Sequence, residues 1–60
     1  MTHTEFKELR NGNLCAVIRT GEPGKVSAIN KENDDVQLEL ISPNARGKKQ
    51  WYHYTELGKV

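Results

Sequence analysis

The 60-residue chain is poor in most residues that announce a function: one cysteine, one tryptophan, two tyrosines, one phenylalanine and two prolines. A single thiol, Cys15, excludes any disulfide framework within the chain. Set between Leu14 and Ala16 in an apolar run, it reads as a small buried side chain rather than a nucleophile. No apolar stretch approaches the roughly 20 residues of a membrane span. The opening MTHTEFKELR also has no hydrophobic region of the kind a secretory signal carries. These absences give the expectation of a cytoplasmic protein with no membrane partner. Charge excess is missing too. Nine basic residues face eight acidic ones for a net charge of +1, so bulk electrostatics argues for neither nucleic acid nor an anionic surface, and only local clustering can.

What is present is a small globular composition, 35% hydrophobic and 28% charged, in a chain long enough for one domain and one small core. Short apolar segments alternate with turn signals. LCAVIR (14–19) and KVSAIN (25–30) read as strands, joined by GEPG, where Pro23 and Gly24 suit the central positions of a type II turn. Val26 and Ile29 both read as core residues, a spacing that breaks alternation and calls for a bulge or strong twist. KENDD (31–35) is a hairpin turn by composition. VQLELI (36–41) is the clearest strand, with Val36, Leu38 and Leu40 on one face and Gln37 and Glu39 on the other. SPNARG (42–47) is a loop, and KKQWYHY (48–54) a fourth strand with Trp51 and His53 opposite Tyr52 and Tyr54. TEL (55–57) fits a short 3₁₀ turn before a last strand at GKV. The lead-in, residues 1–8, fits two conformations equally: a helical turn with Thr2 and Glu5 as a capping box, or an extended segment sending Phe6 to the core. The expected fold is all-β, a small barrel of four to five short antiparallel strands with its body at about residues 9–60.

The run G-N-L-C-A-V-I-R-T-G-E-P-G-K-V, residues 12–26, resembles the KOW-type pattern of SH3-like barrels. Gly12, Asn13, Cys15, Val17, Gly24 and Val26 stand at its marked positions, and the closing Y-T-E-L-G-K-V looks like the last turn and strand of such barrels. Cys15 stands where a larger aliphatic is usual, and the chain is less basic than ribosomal relatives. That resemblance implies a binding module for RNA, DNA or a protein partner, or for methylated side chains in the Tudor branch. Fold alone does not choose among these. Lys49-Gln50-Trp51-Tyr52 is also similar, at Gln50 and Tyr52, to the Val-Gln-Ile-Tyr motif of the plasmid-borne type II dihydrofolate reductases, which are tetrameric barrels. Lys49 and the bulky Trp51 depart from it, and this enzyme reading stands behind a binding module.

The chief constellation is the basic junction Arg46-Gly47-Lys48-Lys49 running into Gln50-Trp51-Tyr52-His53-Tyr54. Cations beside aromatic rings are what single-stranded nucleic acid requires, phosphates pairing with Lys and Arg while bases stack on rings. Arg46, Lys48, Lys49, Tyr52 and Tyr54 are therefore the candidate binding residues. Trp51 is either core or a stacking surface. An aromatic cage of Phe6, Trp51, Tyr52 and Tyr54 would need rings that alternation sends to opposite faces. Glu32, Asp34 and Asp35 lack the ligand order of a calcium loop, and His3, Cys15 and His53 match no zinc spacing. GEPGK lacks the length and the hydroxyl residue of a phosphate loop. His53, Ser27, Ser42 and Glu56 show no triad signature. The expectation is a non-catalytic module without cofactor or metal, its ligand RNA or DNA ahead of a larger protein docked on the same face, on a patch with Ile41, or at a free strand edge.

Overall fold

The structure, a computed structural model, describes residues 1–59. Helix α1 (His3–Glu8) precedes five strands: β1 (Leu14–Val17), β2 (Pro23–Asn30), β3 (Asp35–Leu40), β4 (Lys49–His53) and β5 (Leu57–Lys59). A 3₁₀ turn, Tyr54–Glu56, joins the last two. All pairings are antiparallel, in one sheet of order β4-β3-β2-β1-β5. The outermost strands of that order are consecutive in the chain and joined by three residues. The sheet therefore curls until its two edges approach each other, giving a barrel-like body of 30 × 18 × 16 Å. Among the described residues no helix is long and apolar enough to cross a membrane.

The inner surface follows from alternation. Val36, Leu38 and Leu40 of β3 are buried, as are Cys15, Val17, Val26 and Leu57. Phe6 from α1 closes one end of this core. Helix rather than extended chain forms at the N-terminus because the Thr2 hydroxyl accepts from the Glu5 amide at 3.2 Å while the Glu5 carboxylate accepts from the Thr2 amide at 2.9 Å. The expected irregularity in β2 is a bulge: the register shifts between Val26 and Ala28, leaving Ser27 as the extra residue, and Ile29 returns to the inner face opposite Val36.

Four sequence expectations need correction. Pro23 and Gly24 do not form a turn. They open β2, paired with Ala16 and Cys15. The reversal comes earlier, at 18–21, where Gly21 takes φ +76° and its amide donates to the Val17 carbonyl at 2.6 Å. Gly24 answers a packing demand instead, since a Cβ there would lie 3.1 Å from the Leu38 Cβ. The first strand accordingly stops at Val17, and Ile18 is 63% exposed. The fourth strand stops at His53, and Tyr54 begins the 3₁₀ turn. The last strand starts at Leu57, with Leu57, Gly58 and Lys59 paired to Val17, Ala16 and Cys15, and Val60 lies outside the described residues.

Candidate functional site

Strand pairing sorts the side chains near the basic-aromatic stretch onto two surfaces. Opposite the inward Val36 and Leu38 lie Tyr52 and Gln50, so these two are on the inner side of the sheet at its open edge, Tyr52 half-buried and Gln50 exposed. Lys49, Trp51 and His53 pair with Glu39, Gln37 and Asp35 and lie on the outer surface. There Lys25, Glu39 and Lys49 form one cross-strand row, because Glu39 also pairs with Lys25. Trp51 is not core: it is 48% exposed.

The five candidate residues thus do not form one face. Arg46, in the loop before β4, lines a shallow depression with Leu14, Lys25, Glu39, Leu40, Ile41 and Gly47. Lys48 and Lys49 stand exposed at the start of β4, and an amide–carbonyl bond from Leu40 to Lys48 at 2.8 Å fixes that point of the chain. Tyr54 lies beyond the far end of the strand, which itself spans about 13 Å from Lys49 to His53 at roughly 3.3 Å per residue. Its ring stacks on Phe6 at 5.1 Å between centroids and meets His3 edge-on at 5.5 Å, so it fastens α1 to the sheet. Phe6 and Tyr54 face each other, and no shared cage forms with Tyr52 and Trp51. Tyr52 is half-buried and belongs to a different surface.

That surface is a groove of about 720 Å³ between the 18–21 reversal and β4. Pockets of roughly 300–1,000 Å³ hold small ligands or side chains of a partner. One wall is Val17, Ile18, Arg19, Thr20 and Glu22. The other is the unbroken run Gln50, Trp51 and Tyr52, with Thr55 and Glu56 at the end. Successive residues of a strand point to opposite sides, so three in a row can share a groove only along the strand's edge. β4 is an edge strand, and the outward N–H and C=O groups of such a strand have no ladder partner. The groove therefore offers apolar side chains, an aromatic pair and a backbone edge together.

Its electrostatics centre on Tyr52. Burial pushes the Tyr52 phenol above its ordinary pKa, and the carboxylates of Glu22 and Glu56 push it further in the same direction. Glu22 is held by the Ser42 hydroxyl, which donates to it at 3.3 Å, and Glu56 by the His53 amide, which donates at 2.9 Å as the reciprocal cap of the 3₁₀ turn. Neither carboxylate has a salt-bridge partner among the described residues. Arg19 is the one cation on the lining.

Sequence reasoning does not place Ile18 or Glu22 at a site, and it weighs Glu56 only as a hydrolytic candidate without a triad. Ile18 reads as part of an overlong first strand and Glu22 as part of a turn. Only the unspent apolar Ile18 beside a glycine turn was a signal, and nothing local links it to β4. No protein-family model, no curated protein and no solved structure matches the chain.

Proposed function

We propose that this chain is a non-catalytic docking module that holds a protein partner in the groove between the 18–21 reversal and the edge of β4. The observation that carries this reading is the coincidence of exposed apolar groups, Ile18 and Trp51, with an unpaired strand edge. Exposed apolar surface and free edges are the two features by which small sheets recruit partners. The same geometry weighs against a nucleic-acid site on Tyr52 and Tyr54. One ring sits beside two carboxylates and the other is stacked on Phe6.

A second reading, weak binding of single-stranded nucleic acid, draws on the outer surface. There the exposed Trp51 lies two residues along β4 from Lys49, with Lys25 in the neighbouring row. In that arrangement Trp51 is the stacking ring and Lys25, Arg46, Lys48 and Lys49 meet phosphates.

A photo-crosslinking amino acid separates the two when placed at Gln50, in the groove, or at Lys25, on the outer surface, in cells that express the chain. Docking predicts discrete, protease-sensitive adducts from position 50 that disappear when Ile18→Asp is added. Nuclease-sensitive adducts confined to position 25 would overturn the docking reading in favour of the second.

A further inference from the structure

We infer that the segment docked in the groove is an extended, lysine- or arginine-bearing stretch of the partner, added as a strand along β4 with a cationic side chain between Glu22 and Glu56. The inference rests on the docking reading and adds the partner's chemistry.

Three features converge on it. The first is the wall formed by Gln50, Trp51 and Tyr52 in unbroken sequence, which is a strand edge and not a strand face. An edge is met most completely by another extended backbone, whose amides and carbonyls pair with the free ones and whose alternate side chains enter the groove. The second is charge. Glu22 and Glu56 come from elements far apart in sequence, the chain entering β2 and the 3₁₀ turn, yet both bear on the Tyr52 phenol. Each accepts only a neutral donor, from Ser42 and from the His53 backbone, which leaves acceptor capacity on both carboxylates. A cation placed between them meets two carboxylates against the single charge of Arg19. An anionic side chain there meets both carboxylates as like charges. The third is the ring of Trp51, 48% exposed on the same edge, over which the stem or head of a lysine or arginine can lie.

The groups flanking the groove do not cancel this charge. Lys48 stands outside β4, and Lys49 pairs across the ladder with Glu39 on the outer surface. Lys59 is engaged by Glu5 at 3.0 Å on β5. The acidic character therefore belongs to the groove, while the chain as a whole is nearly neutral.

The test uses the full chain and three short capped peptides of alternating threonine with lysine, glutamine or glutamate, followed by amide resonances and Trp51 emission. The lysine peptide is expected to shift resonances of 18–22 and 49–56 saturably and to bind at least tenfold more tightly than the glutamate peptide. N-methylation of its alternate amides, which removes strand pairing, should weaken it by a similar factor. Glu22→Gln and Glu56→Gln keep both hydrogen-bond acceptors, and glutamine serves the capping role of Glu56, so the fold is retained. Each should weaken the lysine peptide about two- to fivefold, the range of a solvent-accessible ion pair. Their combination should abolish the preference over glutamine. If the glutamine and lysine peptides shift the groove equally, the docking surface stands and the cationic partner is overturned. If none of the three perturbs 18–22 and 49–56, both the inference and the docking reading fall.

Discussion

Gly24 shows how a single atom's space decides local structure. It lies in β2 between Cys15 on one neighbouring strand and Leu40 on the other, with Leu38 beneath it. A methyl group would be 3.1 Å from the Leu38 Cβ and 3.3 Å from the Glu39 carbonyl oxygen, neither of which is a flexible end. Gly24→Ala should therefore cost about 1–3 kcal/mol, the usual range for overpacking a filled core, read as a drop in urea midpoint. Tyr52 offers a residue-scale test of the groove. Its folded pKa is raised, so the neutral phenol contributes stability that is present below the unfolded tyrosine value and is lost as pH rises through the folded one. In a Tyr54→Phe background, near-ultraviolet absorbance should show Tyr52 ionising above a free tyrosine. Glu22→Gln should bring it part of the way back, with burial and the Glu56 carboxylate retaining the rest. A midpoint indifferent to Glu22 would separate that carboxylate from the groove.

At the level of elements, α1 is a helix of six residues, too short to persist on its own. Its reciprocal cap and the burial of Phe6 hold it, along with the stack of Phe6 on Tyr54. Thr2→Ala should remove about 1 kcal/mol, the ordinary value of an N-cap, seen as loss of helix signal before the sheet unfolds. Glu5 adds a pH signature. The Thr2 amide, chiefly, and then the Lys59 ammonium hold its carboxyl below the usual glutamate range. The stability it contributes is thus present above the unfolded glutamate pKa and lost as pH falls through the lowered folded value. Glu5→Gln should flatten that acid limb while leaving the cap in place. β3 was readable from sequence because Val36, Leu38 and Leu40 alternate with polar residues over six positions, and the bulge in β2 was readable from the broken spacing of Val26 and Ile29. The reversal was misplaced by three residues, at 21–24 instead of 18–21, for a specific reason. Pro23 and Gly24 have turn chemistry, but ladder pairing with Ala16 and Cys15 and the close approach of Leu38 outweigh local preference. Thr20 and Gly21, where the chain turns, are less distinctive.

On the scale of the whole molecule, curling of the sheet creates the surface that local patterns could not reveal. Bringing the 18–21 reversal against β4 requires the order β4-β3-β2-β1-β5, which joins positions some thirty residues apart. Strand count and the aromatic β4 were legible one segment at a time. The groove was not, because Ile18, Glu22, Tyr52 and Glu56 become neighbours only on closure. The same closure divides the basic-aromatic stretch between an outer surface and an inner edge. The separation can be measured through Trp51, the only tryptophan of the chain. The most direct measurement is its emission in the free protein and during titration with mixed-sequence single-stranded oligonucleotide at low and at physiological salt. The docking account predicts a red-shifted, solvent-exposed spectrum that the oligonucleotide leaves unchanged at physiological salt. A saturable quench that added salt reverses would contradict it and place nucleic acid on β4.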